Sequence, residues 1–370
     1  MELTADTRSL AEALDQVHEA VEKRSTIPIL SHVLVEAFPS GLRLAATDLE
    51  MGIRTFCAAQ VKAQGSVAAP ARHFVEIVRS LPEGEVRVRA FENHWVQVSA
   101  GRSVFKLVAL AKDTFPALPD VPKALAEVPS GVLAGLIDRT AFAISSQESR
   151  YTLNGALLLL KPGGVEMVAT DGHRLPLAAR DVSIDGLKTE ERLLVPKRAV
   201  AGLRRLASAQ EADSPIRVAK DESHLFFSAG DSDLIVRSFS GQFPNYEAVL
   251  PKDNKITATL DAAAFRQSLR RVALLASEQT HAVCLALESG RLTLSTSGGD
   301  AGEASESLDA AYTGEPLRVA FNSTFLLDLL GVVKTGEVEI ALKDAESTAE
   351  LRPVDQTNYR YRYVVMPMRI

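Results

Sequence analysis

The chain has 370 residues, 46% of them hydrophobic and 24% charged, with a formal net charge of −6. Those proportions are ordinary for a globular protein and exclude disordered, collagen-like and disulfide-framework chains. No apolar run reaches the roughly 18 residues of a membrane helix, and Glu2, Asp6, Glu12 and Asp15 interrupt any signal-peptide core.

Cys57 and Cys284 sit in apolar contexts without CxxC spacing, which reads as two buried free thiols and a cytosolic setting. The length predicts two or three cores rather than one.

In chain order, TRSLAEALDQVHEAV (7–21) has the i, i+4 apolar spacing of a helix, with Leu10 and Leu14 on one face. GLRLAAT, HWVQVSA and SVFKLVAL then alternate as strands. Between them VAAPARHFVEIVRSLPEGEVRV (67–88) predicts strand, break, helix, turn, strand. The pattern returns in LLVPKRAVAGLRRLASAQEADSPIRV (193–218) and RVAFNSTFLLDLLGVVKTGEVEI (318–340), with breaks at Pro70, Pro196 and Asn322, each 126 residues after the last. SGVLAGLIDRTAFAIS (130–145) and DAAAFRQSLRRVALLA (261–276), carrying Phe265 and Leu269, supply the opening helix of the later copies. Phe115-Pro116, Phe243-Pro244 and Met366-Pro367 keep a similar beat. A repeat this long is a domain triplication rather than a solenoid. The expected fold is α+β, three tandem similar domains of two helices packed on antiparallel sheets, over 1–122, 127–252 and 253–370. PALPDVPKALAEVP and PKDNK mark the linkers.

Charge is uneven. Lys197, Arg198, Arg204 and Arg205 sit on the middle helix pattern, and Arg266, Arg270 and Arg271 on the third. Acids gather elsewhere, as in DAGEASESLD (300–309). Basic helices on an acidic chain suit one locally positive surface facing a polyanion, against the plainer reading of solvated helix faces. There is no GxxxxGK[ST] loop, zinc spacing or recognition-helix signature.

ATDGHRL (169–175) places Asp171 two residues from His173. An acid can orient a histidine, but no GxSxG or HExxH supplies a nucleophile or metal set, so no catalytic residue, metal or cofactor is expected. A sequence-specific DNA-binding protein is the other rival, and it lacks a recognition helix.

The triplication, the basic helices and the motifs ATDLEMGIR, AAPAR, TFPALPD, RYTLNG, ATDGHRL, FPNYEAVLPK, FNSTFLLDLL and YVVMPMRI resemble the bacterial DNA polymerase III beta subunit family, the sliding clamps, along the whole chain. The resemblance implies a head-to-tail homodimer, a ring of six similar domains around double-stranded DNA of any sequence. It implies tethering of the polymerase III alpha subunit, the clamp loader, other DNA polymerases, ligase and mismatch-repair proteins through short leucine- and phenylalanine-bearing peptides, with a cytoplasmic, nucleoid-associated location. A specialised clamp paralogue for repair or drug resistance is the alternative.

By the same resemblance, DNA falls to Arg24, Gln147, Tyr151, Lys197 and Arg198; helix charge adds Arg204, Arg205, Arg266, Arg270 and Arg271. The peptide cleft falls to Leu153, Thr170, Gly172, His173, Arg174, Leu175, Pro244, Val249, Asn322, Phe325, Val364, Met366, Pro367, Met368 and Arg369. A dimer seam is expected from Phe105 and Leu107 against Leu274 and Leu275, with Glu303 and Glu306 reaching Arg102. Ala248, Thr280 and Thr152 depart from the family pattern, at positions that bear on partner choice and DNA contact.

Overall fold

The computed structural model describes residues 1–22, 26–184, 187–238, 241–297 and 302–369, so Arg24 lies outside the described residues. Six α-helices run among them: α1 (Thr7–His18), α2 (Ala71–Ser80), α3 (Ser130–Thr140), α4 (Lys197–Ser208), α5 (Ala262–Val272) and α6 (Ser323–Val332). None is long and apolar enough to cross a membrane.

The repeat is regular at the level of single residues. Strands Gly65–Pro70, Glu191–Pro196 and Leu317–Asn322 each run straight into α2, α4 and α6. Where Asp or Asn precedes a helix, its side chain caps it: Asp6 accepts from Ser9 N at 2.9 Å, Asp261 from Ala264 N at 2.7 Å, and Asn322 from Thr324 N at 2.9 Å. Each cap satisfies an amide that the first helical turn leaves without a partner, worth about 1 kcal/mol. The apolar faces follow the predicted spacing, with Leu10, Leu14 and Val17 buried on α1 and Phe265, Leu269 and Val272 on α5. Full burial of such side chains contributes about 1.5–3 kcal/mol each.

The chain condenses into two units, Met1–Gly131 with Ala201–Ser238, and Val132–Val200 with Phe239–Ile370. The first holds a five-stranded sheet ordered Ala59–Ala63, Glu2–Asp6, Glu85–Ala90, Trp95–Ala100, Ser103–Val108. It also holds an eight-stranded sheet in which the middle-third strand Ser232–Arg237 pairs antiparallel with Met51–Cys57 of the first third, Ile235 opposite Gly52. The second unit repeats this device. Its eight-stranded sheet joins Arg174–Asp181 to Arg360–Val365, with Leu175 opposite Val364, and a four-stranded sheet ends on Glu303–Asp309. The middle third thus divides its strands between both units. Continuous ladders cross each sequence boundary because a strand edge left unpaired forfeits its backbone hydrogen bonds.

Candidate functional site

The turn at ATDGHRL spends its polar groups on its own backbone. Thr170 Oγ1 donates to Arg174 O at 2.7 Å and accepts from Gly172 N at 3.0 Å. Asp171 Oδ1 accepts from His173 N at 3.0 Å and Arg174 N at 3.1 Å. Gly172 has φ +91°, a left-handed conformation that glycine adopts without steric penalty.

The remaining carboxylate oxygen of Asp171 holds Arg174 Nε at 2.9 Å. Arg174 also reaches Asp328 at 2.5 Å and Phe142 O at 3.0 Å, and its guanidinium stacks over Phe325 at 4.4 Å and Phe142 at 5.2 Å. Burial opposes this charge, but Tyr363, Asp328 and Asp171 more than offset it and raise the pKa above the ordinary arginine value. The acid, imidazole and guanidinium are therefore a scaffold, and Asp171 is committed to a turn and an ion pair instead of acting as a base.

This scaffold forms one wall of an apolar cavity of about 150 Å³. Leu153, Thr170, Gly172, His173, Arg174, Leu175, Pro244, Val249, Val364 and Met366, all named through the family resemblance, line it together. Its floor rests on the packed cluster of Leu157, Leu159, Leu177 and Tyr246. Met366 and Val249 are 43% and 42% exposed at the rim, open to an incoming side chain.

Five expected residues sit elsewhere. Asn322 caps α6, and Pro367, Met368 and Arg369 line a separate hollow of about 710 Å³ beside Cys284 and Arg318. Phe325 stands behind the wall, stacked on His173 at 6.4 Å. The tail is strung between the two places, Met366 N donating to His173 O at 2.9 Å and Met368 N to Ala320 O at 2.8 Å. Tyr246 and Thr348 line the cavity without having been expected there. The signal for Tyr246 was its place between Pro244 and Val249. Its hydroxyl donates to Glu166 at 2.8 Å, and burial, then Glu166, pushes its pKa up. Thr348 follows a bend set by Asp344, a stretch that carries no apolar pattern.

Of the residues expected at DNA, Gln147, Lys197, Arg198 and Arg270 are exposed, and Tyr151 is 56% exposed. Lys197 Nζ donates to Ser146 Oγ at 2.6 Å while staying open to solvent. Others are engaged within their own unit: Arg205 pairs with Glu19, Arg204 hydrogen-bonds Ser208, and Arg271 grips Glu306 at 2.5 Å. Arg266 is half-buried, its Nε enclosed without a hydrogen-bond partner. Helix position alone overestimates the free positive charge, because acids on neighbouring elements neutralise part of it.

Strands Ser103–Val108 and Glu303–Asp309 each end a sheet. Phe105 and Leu107 are half-buried, Val104 and Val108 are 58% and 62% exposed, Leu275 is half-buried and Leu274 is 81% exposed. Arg102 and Glu303 are exposed, whereas Glu306 departs from expectation. Arg271 and Ser268 of its own unit hold it, which draws it away from a role with Arg102. Arg271, then Ser268, lowers the Glu306 pKa to about 2 from its ordinary 4.5. A lowered folded-state pKa adds stability that is complete above pH 4.5 and lost as pH falls through about 2. Denaturation midpoints of wild type and Glu306→Gln should therefore differ at neutral pH and converge as pH falls across that window.

Tandem strand–helix–strand domains fused by continuous sheets, with a basic helix set and an apolar cleft, define a DNA sliding clamp. The chain matches the DNA polymerase III beta subunit N-terminal, central and C-terminal domains over residues 1–119, 127–245 and 247–369. It is 36% identical to the beta sliding clamp of Caulobacter vibrioides and 34% to that of Pseudomonas aeruginosa, covering all of both chains. The crystal structure of the Pseudomonas aeruginosa DNA polymerase III subunit beta superposes with TM-score 0.93 at 33% identity, and a Caulobacter crescentus sliding clamp with 0.91 at 35%, each over the full length of both chains. The chain belongs to the DNA polymerase III beta subunit family, and it is a non-catalytic processivity factor.

Proposed function

We propose that two copies close head to tail into a six-domain ring around duplex DNA, with domains at 1–122, 127–252 and 253–370. The observation carrying this reading is a pair of open sheet edges, Ser103–Val108 in the first unit and Glu303–Asp309 in the second, in a repeat whose internal joints are made by strand pairing. A heterologous contact between unlike ends closes a ring when the rotation permits. Phe105, Leu107, Leu274 and Leu275 bury apolar surface at that seam, where Arg102 and Glu303 supply charge.

DNA is met by Arg24, Gln147, Tyr151, Lys197 and Arg198, with Arg204, Arg205, Arg266, Arg270 and Arg271 as secondary contributors. Such phosphate contacts carry no sequence information and permit sliding. The apolar cleft takes short peptides bearing leucine and phenylalanine, from the polymerase III alpha subunit, the clamp loader, other DNA polymerases, ligase and mismatch-repair proteins in the cytoplasm. Two buried side chains, less the cost of ordering them, support an exchangeable affinity of roughly micromolar Kd.

The test is retention on a nicked circular DNA after loading with loader and ATP. The protein should stay on the circle and leave once the DNA is cut. Equal retention on both forms, with salt removing it from each, refutes a topological link.

A further inference from the structure

The motif ATDLEMGIR, which the cleft does not use, builds the same scaffold a second time. Thr47 Oγ1 donates to Met51 O at 3.0 Å and accepts from Leu49 N at 3.0 Å, as Thr170 does with Arg174 and Gly172. Asp48 Oδ1 accepts from Glu50 N at 3.0 Å and Met51 N at 2.6 Å, as Asp171 does with His173 and Arg174. Leu49 has φ +78° where Gly172 has +91°. Arg237 N donates to Glu50 O at 2.8 Å where Met366 N donates to His173 O at 2.9 Å. Gly52 lies opposite Ile235 where Leu175 lies opposite Val364. Phe115-Pro116-Ala117-Leu118 likewise matches Phe243-Pro244-Asn245-Tyr246.

One difference closes this copy. Leu175 and Tyr246 both carry side chains into the buried cluster beneath the open cleft, whereas Gly52 projects none. Leu118 drops onto Gly52, so that a Cβ built there would lie 2.4 Å from Leu118 Cδ2. Leu118 and Val121 then pack on Ala219, Phe226 and Ile235. Glu50 and Arg237 pair across the rim at 3.5 Å, where the open cleft has His173 and Met366.

We propose that the first unit holds a second, latent cleft of the same kind, shut by Leu118 lying on Gly52, which takes a leucine- and phenylalanine-bearing peptide once Leu118 is withdrawn. This rests on the peptide reading of the open cleft for its ligand class. The same backbone scaffold supports the same type of guest, and the leucine already seated there has the side chain such a guest would insert.

The test titrates the full-length dimer with a fluorescein-labelled pentapeptide ending in leucine–phenylalanine and counts sites per chain. Two variants open the latent cleft by different routes: Leu118→Ala removes the cover, and Gly52→Leu restores the leucine found at position 175 and displaces it. Each is also made with Val249→Asp, which disables the open cleft. Wild type should bind one peptide per chain, both opened variants two, and Val249→Asp with either opening change one. One site in both cooperatively folded opened variants, lost with Val249→Asp, overturns the latent cleft and leaves the open-cleft reading standing. No binding to wild type but one site in the opened variants refutes the open-cleft reading and supports the latent one. No binding to any of them refutes both.

Discussion

Arg174→Ala should destabilise the protein by about 3 kcal/mol in urea denaturation and abolish peptide binding with it. The side chain is 8% exposed and joins Asp171 of the turn to Asp328 of α6. Removing it takes the counter-charge from two carboxylates, of which Asp171 keeps only its backbone amides, and frees Phe142 O, the expensive way to break a buried pair. The carboxylates are 21% and 35% exposed, which keeps the loss near the lower end of the range for buried pairs. Arg174→Lys should recover only part of it, since an ammonium cannot meet both acids and a carbonyl while stacking between Phe142 and Phe325. A loss below about 1 kcal/mol would mean that the turn holds its shape without this bridge.

Val249→Asp is expected to separate binding from stability. Val249 lines the cavity but is 42% exposed, so its replacement should leave the urea midpoint almost unchanged. A docked apolar side chain would enclose the new carboxylate without a counter-charge, weakening peptide affinity by about 100-fold, or about 2.7 kcal/mol. Fluorescence anisotropy with the labelled peptide measures this directly. Unaltered affinity would place the peptide elsewhere on the molecule.

Much of the fold was legible because periodicity and capping are local. The helix starts after Pro70, Pro196 and Asn322 kept their spacing, and Asp6 and Asp261 cap the helices they precede. The cleft was legible as a family pattern, but the reasons for its residues were not. Asp171 and His173 carried no nucleophile or metal set in a one-dimensional reading, but what they do was hidden: Asp171 holds Arg174, whose second acid, Asp328, and the ring stacked on His173, Phe325, lie some 150 residues further along the chain. Thr348 gave no signal, since a lone polar residue after a bend acquires a role only from what packs beside it.

Charge was the least readable property. Arg270 and Arg271 are exposed neighbours in the same helix, yet Arg271 is held by Glu306 from a strand 35 residues away. The sequence by itself determined the triplication, the helix starts and the family, because each is written in local pattern or in motif order. Only the tertiary structure decided how the middle third shares its strands between two units, which cations stay free, and which of two similar turns opens a cleft. Those outcomes depend on pairings between distant segments, down to whether a leucine or a glycine faces the incoming chain, and no local spacing encodes them.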